Sequence, residues 1–108
     1  MSIISNLLEY ALKSGASDLH LSVGSTPMVR IHGEMKRLDM ASLDEATMDA
    51  IANDVLSENQ RLIFEKNLEI DFSTSLEDKG RFRVNFFNQL NGVSAVFSLL
   101  AWVLATTT

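Results

Sequence analysis

The chain contains no cysteine, which rules out a disulfide framework, a thiolate zinc site and a cysteine nucleophile. It is also short of positive charge. Nine Lys and Arg against fourteen Asp and Glu leave a net charge of -5 over 108 residues. That sign is wrong for a protein that grips nucleic acid through its phosphates, so no nucleic-acid partner is expected. The five glycines stand at 15, 24, 33, 80 and 92. None opens a GxxxxGK[ST] phosphate loop or a GxGxxG turn, so the chain has no ordinary cradle for a triphosphate. HExxH and GxSxG are missing as well, which leaves a metalloprotease or an α/β-hydrolase without support. The longest apolar stretch, AVFSLLAWVLA from Ala95 to Ala105, falls short of the roughly 20 residues that span a bilayer. No membrane insertion is expected from it, and the N-terminus lacks the order of a signal peptide, so a cytoplasmic location is expected.

What is present reads as one folded domain. Apolar residues make up 46% and charged residues 21% of the chain, ordinary values for a globular module of this length. Ile4, Leu7, Leu8, Ala11 and Leu12 form one helical stripe, which Gly15 can end as a left-handed cap. The period then changes to two. Leu19, Leu21 and Val23 alternate with Asp18, His20 and Ser22, followed by a GSTP turn, a strand through Val29 and Ile31, and a short EMKRL strand. Ser42 with Glu45 has the spacing of a capping box and predicts the start of a second helix along Met48, Ile51, Ala52, Val55 and Leu56. Ser57 with Gln60 repeats the box ahead of a third helix carrying Leu62 and Ile63.

The last third alternates again. Leu68, Ile70 and Phe72 oppose Glu69, Asp71 and Ser73, and Phe82, Val84 and Phe86 oppose Arg81, Arg83 and Asn85. Asn91-Gly92 suits a two-residue hairpin turn that leads into a final strand. The resulting order is one helix, three strands, two helices and three strands. The economical arrangement is α+β, an antiparallel sheet of five to six strands with helices mainly on one face.

Candidate chemistry is sparse. His20 and His32 near Asp18 suggest a metal only if further ligands converge, since a site needs three or four. Glu69 and Asp71 share a strand face, the usual pattern of a solvated strand surface. Of the five methionines, those at 28, 35, 40 and 48 follow no common face. Arg81 and Arg83 stand out because they lie side by side on one strand of an acidic chain. Periodicity leaves two readings open: pairing across the sheet with Glu69 and Asp71, or donation to an anion outside the domain.

LLEYALKSGASDLHLSVGSTPMVRIHGEMKRL at 7–38, LEIDFS at 68–73 and GRFRVNFFNQ at 80–89 together resemble the N-terminal domain of the PilT-type retraction ATPases of type IV pili, within the wider family of type II and type IV secretion ATPases. The resemblance runs to about Leu99. It implies a PAS-like α+β domain over residues 1–100, an apolar tail outside the family pattern at 101–108, and no RecA-like ATPase domain within the chain. It also implies a cytoplasmic hexameric ring at the base of the inner-membrane pilus machinery. In such a ring this domain docks on the RecA-like domain of a neighbour, and Arg81 and Arg83, at the family's RFR positions, face ATP. ATP and Mg are implied for full-length members, with no cofactor held and no ATP hydrolysed by this chain alone. A free-standing PAS-like sensor or interaction domain is the alternative.

Two departures from the family pattern bear on the site. Val96-Phe97-Ser98 replaces the usual VFR, and Leu90-Asn91-Gly92 lacks the usual basic residue at the hairpin. Leu99, Leu100, Trp102 and Val103 are expected either to lengthen the last strand or to meet a partner.

Overall fold

A computed structural model describes residues 2–76 and 78–102 of the chain. Helix α1 (Ile3–Lys13) leads into strands β1 (Asp18–Ser22), β2 (Met28–Ile31) and β3 (Glu34–Arg37). Helices α2 (Glu45–Val55) and α3 (Glu58–Asn67) follow, then β4 (Glu69–Leu76), β5 (Gly80–Gln89) and β6 (Gly92–Trp102). All six strands form one sheet in the order β3-β2-β1-β6-β5-β4, antiparallel at every junction. Two meanders, one from each end of the chain, are joined where β1 pairs with β6 from Asp18↔Ser98 to Ser22↔Ser94. The α+β expectation and the element order therefore hold. None of the described helices is long and apolar enough to cross a membrane.

Alternation along the strands sorts the side chains by face. Leu19, Leu21, Val29, Ile70, Phe82, Val84, Phe86, Ala95 and Phe97 are buried with Ile4, Leu7, Leu8, Met48, Ile51 and Phe64 from the helices. Phe86 is the centre of this core. Its ring meets Phe64 at 6.1 Å and Phe97 at 6.0 Å, both edge to face, the orientation favoured by the aromatic quadrupole. Phe64, rather than Leu62 and Ile63, is thus the residue by which α3 docks; Leu62 is 61% exposed. The space left between α1 and the sheet, lined by Leu8, Ala11, Leu19 and Phe97 among others, is about 10 Å³. That is too little for a small molecule.

Three local expectations are corrected. Asp44, not Ser42, caps α2, its carboxylate accepting the Thr47 N–H at 2.8 Å. The cause is the preceding residue: Leu43 donates its N–H to the Ser25 carbonyl at 3.0 Å and accepts the Gly24 N–H at 2.7 Å. This bridge keeps Leu43 extended until after the Ser42 position has passed. The Ser57–Gln60 box is present in full. The second correction is at Leu68, which is the left-handed C-cap of α3 (φ 63) rather than a strand residue and lies exposed.

The third correction concerns the hairpins. Gln89 pairs with Gly92, so the two loop residues between β5 and β6 are Leu90 and Asn91. Gly92 belongs to β6 with φ 132, and a Cβ there would stand 3.1 Å from the Val23 Cβ. Glycine is needed at 92 for this close approach as well as for its backbone angle. The turn with two positive φ values is instead His32-Gly33 (φ 51 and 82), between Ile31 and its partner Glu34. β6 continues through Ala101 and Trp102, so the start of the expected tail extends the strand; Val103 lies outside the described residues.

The core geometry gives a first prediction. Phe86→Ala removes a ring that two others depend on and should cost about 3–5 kcal/mol of stability. Leu62→Ala should change stability by less than about 0.5 kcal/mol. Urea unfolding of the two variants beside the parent measures both.

Candidate functional site

The helices cover one face of the sheet and leave the other open, and every polar candidate from the sequence except His32 projects from that open face or its edge. Register places Arg30, Asp18, Ser98, Arg83 and Ser73 in one row across five strands. The next row holds Met28, His20, Val96, Asn85 and Asp71. Alternation alone brings these residues together, because β1 and β6 are neighbours although nearly the whole chain separates them.

Arg83 leans diagonally onto Asp71. Its Nε donates to Oδ1 at 3.1 Å and its Nη2 to Oδ2 at 2.8 Å, the fork-on-fork geometry that suits guanidinium and carboxylate. The hydrogen bonds from Arg83 are the main reason why the Asp71 carboxyl lies below its ordinary range. The same contact holds the Arg83 proton more firmly than usual. Arg83 nonetheless remains 64% exposed, so solvent screens the pair.

Arg81 differs. Opposite Ser75 in the register, it reaches only that residue's hydroxyl, Nη1 to Oγ at 3.4 Å. Glu69 is opposite Phe87, well removed from Arg81. Of the two cross-sheet pairs open to the sequence, then, one is formed, Arg83 with Asp71. Arg81 carries no ion pair among the described residues.

A second polar group, which sequence reasoning missed, lies beside the arginines. Asp18 accepts from the Ser98 hydroxyl at 2.7 Å and from the Ser17 hydroxyl at 2.8 Å, and Arg30 Nε is 3.6 Å from its Oδ2. Nothing local signals an Asp18–Ser98 contact across eighty positions; only the β1–β6 register creates it. Ser98 therefore sits between Asp18 and Arg83, bound to the former.

His20 stands beside this group with its Nε2 buried and without a hydrogen-bond partner. Burial pushes the imidazole below its ordinary value, against the pull of Asp18. His32 lies in the β2–β3 turn instead of joining it on the sheet face. Among the described residues no three His, Cys, Asp or Glu converge to hold a metal ion. Glu69 and Asp71 do not act together either, since Asp71 is committed to Arg83. What the open face can do chemically is offer guanidinium donors to an anion.

No protein-family model matches the chain. Among curated proteins it is 45% identical over 94 residues to the type IV pilus retraction ATPase PilT of Pseudomonas aeruginosa, spanning 87% of this chain and 27% of that one. It is 36% identical over 96 residues to a twitching motility protein of Neisseria gonorrhoeae, spanning 89% and 25%. Among solved structures, that of the pilus retraction motor PilT with bound ADP superposes with a TM-score of 0.82 at 36% identity, over 100% of this chain and 31% of that one. The Legionella pneumophila ATPase DotB shares the fold at a TM-score of 0.75 and 17% identity, over 89% of this chain and 28% of that one. The chain thus spans between a quarter and a third of the length of the relatives it matches.

The Arg83–Asp71 pair has a definite pH signature. A carboxyl depressed in the folded state contributes stability above the ordinary aspartate range and loses it as pH falls through the depressed value. Arg83→Ala should return the Asp71 titration toward its ordinary range and flatten that part of the acid limb of stability. Carboxyl-carbon NMR titration of both proteins, with unfolding followed against pH, checks the two effects together.

Proposed function

We propose that this chain, which is homologous to the N-terminal region of the PilT-type type IV pilus retraction ATPases, is the docking and arginine-presenting module of a cytoplasmic pilus-retraction motor. Its open sheet face meets a RecA-like ATPase domain of the same or a neighbouring subunit in a hexameric ring, linked through that ring to the inner-membrane pilus machinery. Arg81 and Arg83 point at the phosphates of the ATP bound there. One observation carries this reading: on β5, paired on both sides within the sheet, Arg81 holds its guanidinium out with a single 3.4 Å hydroxyl contact.

The donors suit one end of the ligand. Guanidinium groups on a strand with neighbours on both sides match phosphate oxygens and move little when charge develops on them. Magnesium, which is held by one or two carboxylates together with the phosphates themselves, is not assigned to this module. The ion belongs with the RecA-like domain. ATP, when bound, supplies the phosphoryl group; Arg81 supplies donors that stabilise its charge, and Arg83 is held in place by Asp71 until an anion competes for it.

Ser98 narrows the role. At the position where the family carries an arginine after Val-Phe, its hydroxyl is occupied by Asp18. The module therefore offers the nucleotide two arginines from β5 and none from β6. Asp18, with no arginine at 98, is satisfied by Ser98, Ser17 and Arg30.

The isolated chain should show no ATP turnover, and measurable hydrolysis in a clean preparation would overturn this assignment. Fused to a matching RecA-like ATPase domain, Arg81→Ala should lower kcat by about a hundredfold, the scale of one lost charge-stabilising donor. Its urea midpoint should stay near that of the parent. Unchanged turnover would overturn the role given to Arg81, and unfolding of the variant would show that Arg81 serves the fold.

A further inference from the structure

We infer that this chain pairs with a second copy of itself along β4, antiparallel, with Phe72 on the two-fold axis, to give a continuous sheet across two subunits.

The two edges of the sheet are β3 and β4, and they are defended unequally. β3 is four residues long and carries Lys36 and Arg37. Short length and basic side chains are common ways of keeping an edge from pairing. β4 has eight residues, EIDFSTSL, with no lysine and no proline. Its pairing with β5 runs without a bulge from Glu69↔Phe87 to Leu76↔Gly80. It is long and regular, and its charges, Glu69 and Asp71, are confined to one end.

The direction of its free backbone groups follows from one hydrogen bond. The Leu68 carbonyl accepts the Asn88 N–H at 3.1 Å, which makes position 68 inward-facing at this end of the ladder. In an antiparallel ladder the residues alternate. Ile70, Phe72, Thr74 and Leu76 therefore direct their backbone groups to β5, while Glu69, Asp71, Ser73 and Ser75 direct theirs to the open edge. A partner strand must present outward-facing residues opposite these. With Phe72 on the axis, Glu69 meets Ser75 of the second copy and Asp71 meets its Ser73. Every outward residue then exchanges both backbone hydrogen bonds, and the axis passes through a pair that needs none.

Charge selects the same register. Glu69 and Asp71 are at the N-terminal end of β4, and the arginines of β5 lie behind its C-terminal half: Arg83 opposite Ser73, Arg81 opposite Ser75. Arg81 already leans over Ser75 toward the edge. Two-fold pairing brings Glu69 of one copy against Ser75 and Arg81 of the other, and Asp71 against Ser73 and Arg83. Moving the axis to Asp71 would set two like carboxylates directly opposite each other, which is unfavourable. On the helix side, half-buried Phe72 meets its own copy. Exposed Ile63 and Leu68 flank the edge there, and a groove of about 620 Å³ runs between α3 and β4. A strand of this chain complements its own edge in hydrogen bonding, charge and apolar contact at once.

Sedimentation velocity of the 108-residue chain, from about 10 μM to about 1 mM to cover a weak dimer, should show a monomer passing to a dimer. Over the same range, hydrogen exchange should slow at the amides of Glu69, Asp71, Ser73 and Ser75. Ser73→Pro removes an outward donor that β5 does not use, so it should fold and remain monomeric. Glu69→Lys turns two attractions into repulsions and should weaken the dimer about tenfold. Adding Arg81→Glu to it should restore pairing. A monomer throughout, or a dimer indifferent to both Ser73→Pro and Glu69→Lys, overturns the inference. Should Ser73→Pro fail to fold, Glu69→Lys and its charge-swapped partner decide alone. None of these measurements involves a nucleotide or an ATPase domain, so their outcome is separate from that of the functional proposal.

Discussion

The pairing of β1 with β6 is the constraint on which the rest of the structure depends. It joins a meander made from the first third of the chain to one made from the last third. Without it the sheet would fall into two three-stranded pieces, and β1 and β6, now paired on both sides, would each become an edge. It also fixes the rows of the open face. A slip of one residue between β1 and β6 would turn Leu19 and Leu21 away from Ala95 and Phe97 and send them to solvent. Register is therefore held by the core, and the polar face inherits its geometry from the apolar one.

That inheritance explains why the site is built from residues so remote in sequence. Asp18, Ser98 and Arg83 share a row because Leu19, Phe97 and Val84 share the adjacent one. The arginines gain rigidity from the same source. β5 is bonded on both sides, to β4 without interruption and to β6 with one shift between Arg81 and Phe82. The extra residue at that shift is Leu100 of β6, between Leu99 opposite Phe82 and Ala101 opposite Arg81, so the bulge belongs to β6 and not to the strand that carries the arginines. Arg83 lies down on Asp71, while Arg81 reaches across to the Ser75 hydroxyl on the edge strand and finds no carboxylate there.

Much of this was legible in the sequence, for a physical reason. Every strand has one wet and one dry face, so alternation gave the strands, and the stripe of Ile4, Leu7, Leu8 and Ala11 gave the first helix. The readings that failed were those set by contacts outside the local window. Ser42 has the chemistry of a cap but loses the position to Asp44 because Leu43 is held extended by Gly24 and Ser25. Asn91-Gly92 looks like a hairpin turn, yet Gly92 is required one place further on, against Val23. His32-Gly33 takes the mirror-image turn because a two-residue connection between twisted strands demands it. At the site, local pattern placed both arginines on the open face. Only the register could show that Asp71 reaches one of them and not the other.

The acidic balance of the chain and its cationic strand face are thus compatible. Asp and Glu outnumber Lys and Arg overall, yet the carboxylates of this face are already engaged: Asp71 by Arg83, and Asp18 by Arg30 together with two hydroxyl donors. A guanidinium locked to a carboxylate is a poor donor to a third party unless that party is more highly charged, as a polyphosphate is. A guanidinium with one hydroxyl contact needs no such exchange. Arg81 and Arg83 are therefore inequivalent although they occupy adjacent positions on one face of one strand. Any anion that approaches this face meets Arg81 as a ready donor and Arg83 as one that must first be drawn from Asp71.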